Sequence, residues 1–142
     1  MENEIINWIK EYVDNSHAKG VVIGNSGGKD SATVIALSAK ALGKENVLAV
    51  AMPCKGKKQD LEDGELVAKT FGVKNIVVDL DDVYDNLEKS INMDLVDEAK
   101  INIKPRLRMT ALYAIAATYG YLVAGTRKFV WTICGIYHQM GR

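Results

Sequence analysis

The run Gly20-Val21-Val22-Ile23-Gly24 is a brief β-branched stretch bounded by glycines, and a helical pattern begins only a few residues beyond it. A strand this short and apolar belongs where both faces are covered, in a parallel sheet packed by helices. The next segments keep to that rule. A glycine-bearing turn from Asn25 to Asp30 leads into Ser31–Leu42, where Val34, Leu37, Ser38 and Ala41 mark one packed helical face and Gly43 supplies a stop. Asn46–Met52 reads as a strand, Asp60–Phe71 as a helix closed by Gly72, and Val73–Leu80 as a strand. Residues 81–100 read as polar helix with a break near Asn92, and Pro105 is placed to open a further helix running to about Tyr119. Gly120–Gly125 is a fourth strand, and Ile5, Trp8, Ile9 and Val13 set an amphipathic helix over residues 4–15. The alternation predicts an α/β fold, a doubly wound parallel sheet with helices on both faces.

At 142 residues the chain suits one domain with a core. Its 18 basic and 18 acidic residues balance, which argues against nucleic acid as the main partner. Two cysteines, Cys54 and Cys134, stand in no metal-ligand spacing and predict a reduced, cytoplasmic setting. Met1-Glu2-Asn3-Glu4 opens no apolar signal core, and no run nears the roughly 20 apolar residues of a membrane span, so no membrane partner is expected.

In a doubly wound sheet, ligands sit beyond the carboxyl ends of the strands. Directly after Ile23-Gly24 the chain reads Asn25-Ser26-Gly27-Gly28-Lys29-Asp30-Ser31. Adjacent glycines let the backbone turn sharply and present its N–H groups to an anion. Ser26 and Ser31 add hydroxyls, and the next helix contributes its positive end. A carboxylate inside an anion site calls for a shared cation, so Asp30 is read as a Mg²⁺ ligand. Gly-Gly alone could be a mere strand-to-helix joint; the whole SGGxDS string between a buried strand and a helix points to polyphosphate. No Gly-Lys-Ser/Thr closes it, so it is not a Walker loop. Lys104, Arg106 and Arg108, read as first-turn residues behind Pro105, oppose the helix dipole and are better explained by an anionic ligand than by a solvated face. Cys54 is read as packed, Lys55, Lys57 and Lys58 as a flexible basic surface loop, and His17 and His138 as having no metal role.

SGGKDS resembles the pyrophosphate-binding (PP) loop of the N-type ATP pyrophosphatases, which split ATP between its α and β phosphates. Within them, Asn102-Ile103-Lys104-Pro105-Arg106-Leu107-Arg108-Met109 resembles the NxxARxRM segment of NAD synthetases, with proline where alanine is usual. Leu122-Val123-Ala124-Gly125-Thr126 is similar to their LVxGT strand end, and Met52-Pro53 with Gln59, Asp60 and Asp63 to their MP…QxxD stretch. The resemblance covers roughly residues 5–126. It implies a Rossmann-like, adenine nucleotide alpha hydrolase-like fold and a ligase of NAD biosynthesis with ATP and Mg²⁺. In that reaction ATP adenylates the carboxylate of deamido-NAD, pyrophosphate leaves, and ammonia displaces AMP to give NAD. Implied nucleotide contacts are Gly24, Ser26, Gly27, Gly28, Lys29, Asp30, Ser31, Met52 and Gln59. Arg106 would lie by the ATP or dinucleotide phosphates and Thr126 would face ATP or ammonia, the two catalytic positions. The family implies a homodimer. Rival readings are a tRNA-thiolating enzyme with Cys54 as sulfur carrier, a GMP synthetase-like enzyme, and a non-catalytic nucleotide-binding remnant.

After Thr126 the resemblance stops, where GTxNxSE and then GYxTKxGD are expected. Reading each codon one nucleotide later, with synonymous choice, the tail can become ENLSGRYVGYITKWG; Met140 before Gly141 is forced to tryptophan. Gly125-Thr126 would then continue as GTENLSGRYVGYITKWG, matching the pattern except for glycine at the metal-binding glutamate. Residues 1–126 are therefore expected to be the ATP-binding part and residues 127–142 out-of-frame translation, leaving the product weak in ATP binding and impaired in NAD synthesis.

Overall fold

The computed structural model describes residues 1–125. Helix α1 (Glu2–Asn15) precedes β1 (Val21–Gly24), α2 (Lys29–Leu42), β2 (Val47–Ala51), α3 (Lys58–Phe71), β3 (Lys74–Val77), α4 (Asp81–Ile91), α5 (Asp97–Tyr119) and β4 (Leu122–Ala124). The four strands pair in parallel in the order β3-β2-β1-β4. The chain steps outward from β1 to β3 and then crosses back to place β4 on the other side of β1. With right-handed crossovers, α2 and α3 lie on one face and α5 on the other. This is the doubly wound α/β arrangement that the alternation predicted.

The burial pattern explains why the central strands read as unbroken apolar runs. Val21, Val22, Ile23 and all of Val47–Ala51 are buried, because helices cover both faces. Ile9 and Val13 seat α1, and Val34 and Ile35 seat α2 on the sheet. Strand β3 has only one neighbour, and its residues are exposed or half-buried. It is shorter than the Val73–Leu80 expected, yet Val78 and Leu80 still donate backbone bonds to the carbonyls of Ala51 and Pro53. Helix α4 ends where a break was expected, at Asn92, whose φ of 53° is left-handed backbone tolerated by asparagine.

Pro105 does not open a helix. Helix α5 begins at Asp97, with Asp97 and Glu98 in its first turn, and Pro105 lies in its interior. The acids at the start suit the helix dipole, and the missing proline N–H is tolerated within a long helix whose C-terminal half is seated on the sheet by Leu112 and Ala116. Lys104, Arg106 and Arg108 are therefore mid-helix, and the dipole argument for an anion at these cations no longer applies. No helix among the described residues is long and apolar enough to cross a membrane.

Candidate functional site

A cavity of about 520 Å³ opens at the carboxyl ends of β1, β2 and β4. Gly24, Asn25, Ser26 and Ser31 line it from the β1 loop, Ala51 to Pro53 from β2, and Val123 to Gly125 from β4. Gly56, Lys57, Asp60 and Leu61 wall it from the start of α3, and Pro105, Arg108, Met109 and Leu112 from α5. Apolar walls with a few converging polar groups, at the crevice where the strand order turns back, are the usual make-up of a small-molecule site.

The loop after β1 is tightly determined. Gly27 has φ 82°, and a Cβ there would stand 2.7 Å from Asp63 Cβ and 2.8 Å from the Gly64 nitrogen, so the loop lies directly on α3. The Gly28 N–H donates to Ser26 Oγ at 3.2 Å, and Ser31 Oγ donates to the Gly28 carbonyl at 3.1 Å. Ser26 and Ser31 Oγ are 3.1 Å apart; since the Ser31 proton is committed to Gly28, Ser26 is the donor between them. Gly28 caps α2 without a side chain, which leaves the Lys29, Asp30 and Ser31 amides with no intrahelical acceptor. Such open donors at a helix start, beside a cavity, are suited to an oxyanion.

Of the residues singled out from the sequence, Gly24, Ser26, Ser31 and Met52 line the cavity. Gly27 and Gly28 shape the loop behind it. Lys29 and Asp30 are exposed on the first turn of α2, outside the lining. Gln59 is exposed and donates to Asp63 Oδ1 at 2.8 Å. Thr126, Cys134, His138 and residues 127–142 lie outside the described residues.

Arg106 is not brought to the cavity. It is exposed, with Nη1 donating to the Asn102 carbonyl of its own helix at 3.3 Å. Arg108 is brought there: its Nε donates to the Met52 carbonyl at 3.0 Å, anchoring the guanidinium at the end of β2. Residues two apart on a helix face apart, so only one of these arginines can look into the cavity. Among the described residues neither Arg108 nor Lys57 has a carboxylate within ion-pair distance, and both line the cavity. Asn25 is the site residue to which motif reading gave no role, and Arg108 was read with Lys104 and Arg106 as facing an anion while the phosphate contact was assigned to Arg106.

The basic loop is less free than its composition suggested. Lys55 Nζ pairs with Asp85 Oδ1 at 2.8 Å, and the Lys55 N–H donates to Asp81, tying the loop to α4. Asp85 pushes the Lys55 ammonium pKa up. Cys54 is buried, and burial raises its thiol pKa despite the opposing fields of Arg108 and Lys104. A thiol held neutral and covered suits packing, not sulfur transfer.

Asp30 is a single exposed carboxylate, and no group of three or more His, Cys, Asp or Glu among the described residues could cage a metal. Mg²⁺ commonly takes one or two carboxylates and completes its shell with water and phosphate oxygens, so the donor set fits that ion alongside a polyphosphate.

The family model for NAD synthase matches residues 1–141. The chain belongs to the NAD synthase family. The NH(3)-dependent NAD(+) synthetase of Finegoldia magna is 43% identical over 120 residues, covering 84% of this chain and 49% of that protein. A solved NH3-dependent NAD synthetase from Campylobacter jejuni superposes with a TM-score of 0.82 at 34% identity, covering 89% of this chain and 55% of that one. An NMN synthetase from Francisella tularensis superposes with a TM-score of 0.83 at 30% identity, covering 89% of this chain and 52% of that one. The chain thus spans about half the length of the NAD synthetases it matches. The likeness to these structures agrees with the parallel sheet and helices that the sequence predicted; a thiolating or GMP synthetase-like identity is not favoured.

Proposed function

We propose that this family member, in its complete form, binds ATP in the crevice, adenylates the nicotinate carboxylate of deamido-NAD and passes it to ammonia to give NAD. The observation that carries the reading is the loop Asn25–Ser31, whose open amides at the start of α2 lie beside a cavity lined by Arg108 and Lys57, neither of them ion-paired among the described residues. The amides of Lys29 to Ser31 receive phosphate oxygens, and the Ser26 hydroxyl turns from Ser31 to donate to them. Arg108, fixed through Nε, keeps its terminal amino groups for an anion. The carboxylate oxygen attacks the α-phosphorus, and the bond to the β-phosphate oxygen breaks. Donors held on the departing pyrophosphate stabilise the charge that develops there. Ammonia then attacks the acyl carbon, AMP leaves, and a proton is lost from nitrogen. Asp30 would hold Mg²⁺, which, when bound, neutralises phosphate charge. Thr126 is assigned to the ATP or ammonia side, and Gly24, Met52 and Gln59 to the nucleotide; Arg106 is kept as a contact to the dinucleotide phosphates at the rim.

The proposal includes a cytoplasmic location and a homodimer. It also takes residues 127–142 as out-of-frame translation; resequencing that finds the present frame intact and continuing removes this part. The similarity to an NMN synthetase supports a second substrate reading, in which the same carboxylate is carried on the mononucleotide. Both are tested by incubating the complete protein with ATP, ammonia and either deamido-NAD or nicotinate mononucleotide, and following AMP and amidated product. AMP formed one-for-one with NAD is expected. Turnover only with the mononucleotide selects the second reading, and turnover with neither overturns both.

A further inference from the structure

Asn25 is 4% exposed, yet every polar group of its side chain is engaged, and so is its N–H. That N–H donates to the Val50 carbonyl at 2.7 Å. The side-chain Nδ2 donates to the Gly64 carbonyl at 2.7 Å and to Asn75 Oδ1 at 3.0 Å, and Oδ1 accepts the Gly27 N–H at 3.2 Å. One carboxamide therefore joins the phosphate loop to the middle of α3 and to β3. Two glycines make the room. Gly27 can adopt its left-handed φ against Asp63 and Gly64, and a Cβ on Gly64 would stand 3.3 Å from the Asn25 carboxamide. Glycine inside a helix is otherwise unfavourable, so the close approach of Asn25 explains its presence in α3.

We infer that Asn25 is a positioning residue for polyphosphate: its carboxamide holds Gly27 in place and so aims the amides at the start of α2 before ligand arrives. The inference rests on the nucleotide reading above. A fully satisfied buried network is rigid, and donors already in position lose less freedom when a charged ligand binds. Loss of the carboxamide frees the Gly27 N–H and uncouples the loop from α3. The phosphate part of binding then weakens and the adenosine part does not.

The test uses the complete protein, with calorimetric titrations of ATP, inorganic pyrophosphate and adenosine well below each variant's melting temperature. For Asn25→Leu, ATP and pyrophosphate affinity should each fall about tenfold, while adenosine affinity changes less than about twofold. Asn25→Asp keeps the acceptor for Gly27 and loses the donors, so it should recover part of the loss. If Asn25→Leu does not fold, Asn75→Ala removes a single bond and should weaken pyrophosphate by about threefold with adenosine unchanged. Folded variants that bind pyrophosphate as tightly as wild type, or that lose adenosine in parallel, overturn the positioning role. Wild-type protein that binds neither ATP nor pyrophosphate overturns the nucleotide reading, and this inference with it.

Discussion

At Gly27 and Gly28 two adjacent glycines carry different constraints, and the difference can be measured. Gly27 combines φ 82° with backbone 2.8 Å from where a Cβ would lie, whereas the nearest atom to a Cβ on Gly28 is the movable Ser26 Oγ at 3.3 Å. Gly27→Ala must strain the residue or push the loop off α3, which should cost about 1–3 kcal/mol of stability and most of the pyrophosphate affinity. Gly28→Ala, at φ −82°, should cost well under that in stability. Thermal unfolding of the two variants side by side is the check; equal melting temperatures would remove the argument that α3 shapes the loop. The motif made both glycines legible in the sequence. Asn25 was not legible, because its partners Gly64 and Asn75 lie 39 and 50 residues away. The one available hint was an unexplained glycine inside a helical pattern.

Among the elements, α5 departs most from its sequence reading. Residues 81–100 were read as polar helix with a break near Asn92, and the end near Tyr119 was placed as observed, but Pro105 drew the start of α5 eight residues too late, because a first-turn proline is the commoner case. Burial of one face against the sheet outweighs the lost bond. That cost should be recoverable. An interior proline disfavours a helix by about 3 kcal/mol, and replacing it returns up to about 1 kcal/mol of freedom to the unfolded chain. Pro105→Ala should therefore stabilise the protein by about 2 kcal/mol, read as a higher melting temperature with unchanged unfolding cooperativity. A lower melting temperature would mean that contacts of the proline ring at the cavity wall matter more than the helix bond. The arginine at the cavity also differs from the one expected: Arg106 and Arg108, two apart, face different ways on any helix, and the packing of α5 turns Arg108 inward. The strands needed no such correction, since glycine-bounded β-branched runs can hardly be read otherwise. Their bounds did shorten, most at the two single-neighbour edges: β3 to Lys74–Val77, and β4 to Leu122–Ala124 from the expected Gly120–Gly125.

Across the whole molecule, the cavity joins chain segments from Gly24 to Gly125, and it exists only when β1, β2 and β4 are paired. A ligand seated there binds the folded state alone and must stabilise the protein as a unit. At about 100 times its dissociation constant, ATP should add about 2.7 kcal/mol, or roughly 8–13 °C in melting temperature for a chain of this size. Hydrogen exchange should locate the effect. Slowing is expected at residues 24–31, 51–61, 105–112 and 123–125, with α1 and the open edge of β3 unchanged. The alternative location is the polar cleft of Asp85, Glu88, Lys89, Asp94 and Lys100 between α4 and α5, which is of similar volume. That cleft carries three acids against two bases, and the helix start beside it, at α5, already carries Asp97 and Glu98, so a polyphosphate has little reason to prefer it. Protection confined to residues 85–100, with the loop after β1 exchanging as before, would place the nucleotide away from the crevice.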